Sequence, residues 1–308
     1  MVISAIQSPF HLTPMPNLSP QAKGILLTVV GILALSPDSL LIRLISVDTW
    51  TLLFWRGTLL AIGLTVGLLF IHRTRLIEMF KVMGSIGILS GAMIAIGTVF
   101  FVLAITHTTV ANTLIIIGSS PLFAAVLGRL FLGESIAPRT AVAIVTAFGG
   151  IFLTVSHNLQ TGSWMGDLFA LIASSFVAGE VVVIRFARKV DMTPSVVLGG
   201  IFLGVMILPF ANPLKVQGPD LGYLGLLGLV VLPVAFGLLT LAPRYLPAPE
   251  VSLLKLLEMV VGPYWVWLGL GENPGSRAVL GGTVVILTLV IHSWIGLRQA
   301  KNEPNLIV

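Results

Sequence analysis

Residues 24–57, GILLTVVGILALSPDSLLIRLISVDTWTLLFWRG, align without a gap on residues 166–199, GDLFALIASSFVAGEVVVIRFARKVDMTPSVVLG. The register sets Gly24 on Gly166, Asp38 on Glu180, Arg43 on Arg185, Thr51 on Thr193 and Gly57 on Gly199. A second block follows at a slightly different offset: residues 83–139 fall on 221–277, pairing Gly84 with Gly222, Leu103-Ala104 with Leu241-Ala242, Gly133-Glu134 with Gly271-Glu272, and Arg139 with Arg277. Four same-sign charged pairs coincide, against roughly 0.4 expected by chance when 9% of residues are charged. The chain reads as a duplicated unit.

The duplicated unit belongs in a membrane. Of the 308 residues, 56% are hydrophobic and 9% charged, and the mean hydropathy is +1.05, far from the globular range. Apolar stretches long enough to cross about 30 Å of hydrocarbon run at 24–45, 50–71, 83–106, 109–132, 137–156, 164–185, 194–212, 221–241, 246–270 and 278–297. They run on without the alternation of a barrel strand, so helices are expected, and lipid leaves no backbone group a water partner. The expected fold is therefore an all-α polytopic membrane protein of ten transmembrane helices, five per repeat. Its parts are an N-terminal tail at 1–22, a first repeat at 23–156, a second at 164–297 and a C-terminal tail at 298–308.

Basic residues orient it. With the N-terminus inside, twelve Lys and Arg residues, among them Arg73, Arg75, Arg185 and Arg244, fall on the cytoplasmic side, against Arg43, Lys215 and Arg277 outside. Both termini are then cytoplasmic, the 72–82 loop faces in and the 157–163 loop faces out. Because five spans per repeat is an odd number, the second copy enters from the opposite face. Inverted repeats of this kind place a substrate site near the midplane and permit alternating access. The net charge of +5 is spread over loops rather than clustered with aromatics, which argues for orientation and against nucleic acid as partner. The first 21 residues hold four prolines and no basic residue, unlike a signal peptide. With no cysteine, thiol chemistry is absent.

Charged residues inside spans are costly unless they face a partner or a water-filled cavity. Lys255 and Glu258 sit near the middle of the ninth span, and helical spacing extends their face through Gly262 to Trp265. A cation, an anion and a large ring suit a zwitterion with an apolar side chain: Lys255 for its carboxylate, Glu258 for its ammonium, Trp265 and Tyr264 for the side chain. The bland alternative is an i,i+3 ion pair between Lys255 and Glu258 that locks packing. The equivalent fourth span carries Ser119 and Ser120 before Pro121, with Ser120 aligned on Glu258. Pro121 and Pro263 each free a carbonyl and are expected to kink their helices, as Pro37 is in the first span. Asp38 and Glu180, the aligned acids of the first and sixth spans, are candidates for a coupling proton or a gate if unpartnered; the alternative is an ion pair to Arg43, Arg56 or Arg185. Phe100 is a candidate cavity residue. Gly200 and Gly204 read as a close-packing pair. Catalytic and metal-binding patterns are missing, so neither an enzyme nor a cofactor is expected.

These residues resemble a known family. The twin unit, in which Leu103-Ala104 leads into a fourth span closed by Gly133-Glu134 and a fifth helix carries Gly149-Gly150, is similar to the EamA domain of the drug/metabolite transporter superfamily, and Leu241-Ala242 and Gly271-Glu272 repeat it. Within the superfamily it is most similar to bacterial aromatic amino-acid exporters. The resemblance implies two inverted five-helix repeats around a central cavity and export of amino acids or related metabolites across the inner membrane without ATP. A monomer with a small-molecule substrate is expected. Rival readings are efflux of lipophilic cations, carriage of phosphorylated or nucleotide sugars, and a receptor or scaffold without a transport cycle.

Overall fold

Every regular element of the computed structural model, which describes residues 18–107, 113, 116–155, 164–271 and 275–302, is a helix. The 157–163 loop, the outer parts of both tails and Glu272 lie outside the described residues. In chain order the helices are α1 (Pro20–Leu35), α2 (Asp38–Leu44), α3 (Thr49–His72), α4 (Leu76–His107), α5 (Ser120–Leu127), α6 (Pro138–Val155), α7 (Trp164–Phe186), α8 (Thr193–Ile207), α9 (Pro219–Leu226), α10 (Leu232–Leu241), α11 (Ala248–Lys255), α12 (Leu257–Leu270) and α13 (Gly275–Asn302). Among the described residues seven helical stretches are long and apolar enough to cross a membrane, from Pro20–Leu44 to Val279–Gln299. Three shorter apolar helices, Ser120–Leu132, Pro138–Leu153 and Thr193–Ile207, accompany them.

Local chemistry sets the ends. Ser19 accepts the Ala22 N–H at 3.2 Å ahead of Pro20, and Asp48 accepts the N–H groups of Trp50 and Thr51, both at 3.1 Å, to open α3. Gly133 and Gly271, an aligned pair, both adopt φ near 70° just past equivalent helices, a left-handed conformation that costs glycine no Cβ clash. The third span departs from expectation. Its helix begins at Leu76, inside the stretch read as a loop, and bends at Gly84, whose φ of 53° and ψ of −147° lie outside the helical region. Leu76, Met79, Phe80 and Met83 recur at helical spacing, so this first segment buries Met79 and Met83 while leaving Ile77 exposed.

The aligned halves pack on one another helix by helix. α3 and α6 each lie against their own aligned counterpart, α8 and α13 respectively, while α5 packs on α11, α4 on α7 and α10 on α1. The α3–α8 contact is the closest kind. A Cβ on Gly57 would lie 2.8 Å from the carbonyl oxygen of Gly200, and one on Gly200 would lie 2.6 Å from that of Gly57. Gly204 also approaches α3, at the Thr58 hydroxyl.

Candidate functional site

Three spans are interrupted at or beside polar residues. α1 stops at Leu35, and Ser36-Pro37 turns the chain into α2, the break expected at Pro37. The fourth span turns at Gly118-Ser119, where the Ser119 N–H donates to the Ile116 carbonyl at 3.0 Å, and Pro121 falls in the first turn of α5. The ninth breaks at Leu256, between Lys255 and Glu258, where tightened bonds run from Leu256 N–H to Leu253 O and from Met259 N–H to Leu256 O, both 3.1 Å. Gly118 and Leu256 are aligned positions of the two repeats. The kink expected at Pro263 is therefore misplaced: α12 runs through residue 263 without interruption, and the break lies nearly two turns earlier.

Because the break falls between them, Lys255 and Glu258 do not pair with each other. Lys255 Nζ lies 3.6 Å from Glu180 Oε2 on α7. Asp38, at the start of α2, receives both terminal nitrogens of Arg56 from α3, the second at 2.8 Å. Asp38 and Glu180 are thus partnered, Asp38 by one of the cations named as alternatives and Glu180 by Lys255. Glu258 is different. Its carboxylate interacts with the charges of Asp38, Arg56 and Lys255, yet among the described residues it forms no ion pair within 4.0 Å. The cluster therefore holds three acids and two bases. Side chains of Arg56 and Lys255 keep 15% and 21% of their surface accessible within apolar spans, where a charge is costly without a partner.

Aromatic rings border this cluster. Trp265 is partly exposed, and its indole N–H donates to Ser36 Oγ at 2.7 Å, tying α12 to the break after α1. Tyr264 does not join it; it stands edge-on to Trp267 at 6.2 Å. Phe100 stacks on Phe176 at 6.4 Å and tilts against Phe169 at 5.7 Å, and Phe176 lies one turn before Glu180 on α7. Ser120 is buried, while Ser119 hydrogen-bonds the Ile116 carbonyl and sits 3.4 Å from the Ser174 hydroxyl of α7. Lys255, Glu258, Trp265, Asp38 and Glu180 come together; Tyr264 lies apart, and the serines and Phe100 line the α4, α5 and α7 side.

A family model for EamA-like transporters matches this geometry's sequence twice, at residues 22–156 and 164–294. The chain belongs to the EamA-like transporter family. Among curated relatives, the pseudopaline exporter CntI of Pseudomonas aeruginosa is 27% identical over 217 residues, which cover 66% of this chain and 72% of that protein. An uncharacterized transporter of Archaeoglobus fulgidus is 25% identical over 198 residues, 61% of this chain and 68% of that one. A solved crystal structure shares the fold with a TM-score of 0.78 over 89% of this chain and 98% of its own, at 12% identity. This EamA-family chain is a multi-pass membrane protein related to transporters.

Two features of this EamA-family site escaped the sequence reading. Arg56 entered it only as a possible counter-ion, although Arg56 and Lys255 are the two of 17 Lys and Arg residues that lie within the spans rather than near their ends. The second is an ion network at the far end of the helices. Glu134 Oε1 accepts from Arg185 Nε at 2.7 Å, and Glu250 Oε1 from Arg139 at 2.9 Å, while Arg185 also donates to the carbonyls of Pro243 and Arg244. Glu134, Arg139 and Arg185 are all members of the aligned charge pairs, a signal that was visible but could not say which charges would meet.

Proposed function

We propose that this chain is a secondary exporter that moves hydrophobic amino acids, aromatic ones among them, and related metabolites out across the cytoplasmic membrane by alternating access. It works as ten spans in two inverted five-helix repeats, residues 23–156 and 164–297, with both termini inside. The observation that carries the reading is the charge cluster drawn from both halves: Asp38 with Arg56 from the first, Glu180 with Lys255 and Glu258 from the second, and Trp265 beside them. A site shared between repeats exchanges its exposure when the repeats rock against each other. The packing of α3 and α6 on their aligned counterparts supports that arrangement, and so does the similarity to a pseudopaline exporter.

The cluster also argues against phosphorylated sugars. Both bases already face acids, so no surplus positive charge waits for a dianionic group. A second reading, efflux of lipophilic cations, draws on the same surplus of acid and on the rings around it. Flux measured in proteoliposomes separates them. Outward movement of phenylalanine is expected; flux of glucose 6-phosphate or of tetraphenylphosphonium in its place overturns the amino-acid reading in favour of the corresponding rival.

A further inference from the structure

The cluster contains more acid than base, and the surplus is localised. Asp38 is held by two contacts from Arg56, and Glu180 lies against Lys255, so each base has one acid committed to it. Glu258 is left over. The elements packed on α12 are α1, α2, α11 and α13. Glu258 feels the charge of Asp38 from α2, of Lys255 from α11 and of Arg56 from α3; the third acid of the cluster, Glu180, lies against Lys255. From α1 the polar contact to α12 is the hydroxyl of Ser36, which Trp265 occupies. From α13 the described contact is apolar, Gly282 against Val260. A carboxylate in this position, beside a second acid and with no cation of its own among the described residues, is balanced by one exchangeable positive charge.

We propose that Glu258 is that exchangeable cation site, holding a proton in one half of the cycle and the ammonium group of the substrate in the other, so that each export event brings one proton in. The proposal rests on the export reading above. The cycle balances: an ammonium entering from the cytoplasm displaces the carboxyl proton to the cytoplasm, and after the ammonium leaves outside, the carboxylate takes a proton from that side. Asp38 and Glu180 keep their ion pairs throughout, and so act as fixed counter-charges. The stoichiometry makes a distinction that simple gating does not. Exchanging a zwitterion for a proton moves one net charge inward, whereas exchanging a monovalent amine for a proton moves none.

The test uses the full chain in proteoliposomes with two probes that share a ring, phenylalanine and phenethylamine. With acid outside, outward phenylalanine flux through the wild-type chain is expected to accelerate. Glu258→Gln, verified as folded by its thermal transition, should lose the acceleration, and Glu258→Asp should keep it. A potential negative inside, set with potassium and valinomycin, should accelerate phenylalanine export and leave phenethylamine export unchanged. A folded Glu258→Gln protein with an undiminished response to the proton gradient overturns the proposal, as does equal voltage dependence of the two probes. Wild-type flux indifferent to the gradient overturns the coupling while leaving export standing. No flux of either probe overturns the export reading beneath it.

Discussion

Trp265 donates its indole N–H to the hydroxyl of Ser36, 229 positions away in the chain, and so latches the ninth span to the break in the first. The bond and the ring can be separated by mutation. Ser36→Ala removes an acceptor for about 1 kcal/mol and should leave substrate preference unchanged. Trp265→Ala removes the ring and should weaken export of aromatic amino acids more than of alanine, with Trp265→Phe intermediate. Competition assays against labelled phenylalanine check the order; equal losses for large and small substrates would remove Trp265 from the binding site.

The partner of Lys255 is Glu180, not Glu258, and stability measurements can show it. Lys255→Met leaves Glu180, 11% exposed at its side chain, without its cation, and should cost up to about 3 kcal/mol. Glu180→Gln in the same chain should recover most of that loss, and Glu258→Gln should not. Thermal unfolding in detergent reads all three; rescue by Glu258→Gln alone would reverse the assignment.

The α3–α8 crossing depends on missing side chains. Gly200→Ala puts a Cβ against the backbone carbonyl of Gly57 and should destabilise by about 1–3 kcal/mol, because a backbone oxygen cannot turn aside. At Gly222, a Cβ meets nothing within 4 Å, so Gly222→Ala should be neutral or gain up to about 1 kcal/mol from helix propensity. The two melting temperatures should move in opposite directions or differ plainly in size.

Asp48 lies outside the spans and caps α3. The Thr51 hydroxyl, 2.7 Å away, holds its carboxyl below the ordinary carboxylate range, helped by the Thr51 and Trp50 amides. A depressed acid contributes above its unfolded value and loses that contribution as pH falls through its folded one. Asp48→Ala should thus cost about 1 kcal/mol at neutral pH, with the gap to wild type closing in acid below the usual carboxylate range. A gap that widens in acid would contradict the cap.

The chain has no cysteine of its own, so single cysteines report topology cleanly. A cysteine at Lys215 should react with an impermeant maleimide from outside intact cells, and one at Arg75 only after the membrane is opened. Equal labelling would remove the inverted orientation of the repeats.

Membrane residence, the helical class, the repeat and most of the charges that cluster between the helices were legible in the sequence. Each is recorded by composition or by spacing along one strand of chain. Lys255, Glu258, Asp38, Glu180 and Trp265 stand out because a charge or an indole in an apolar run is costly whatever surrounds it. Who pairs with whom was not legible. The break at Leu256 sends Lys255 to α7 and leaves Glu258 toward Asp38 and Arg56, and no local rule predicts it, since Leu256 carries none of the usual helix-breaking chemistry while Pro263 does. The helix from Leu76 was missed because its apolar face is one stripe rather than a continuous run. Ion pairing and helix interruption depend on which helices lie alongside, and that depends on contacts such as Gly57 on Gly200 and Arg185 on Glu134, made by residues more than fifty positions apart. The sequence by itself determined which side chains would be expensive to bury; only the tertiary structure decided which partner relieves each one, because that relief is a distance between helices.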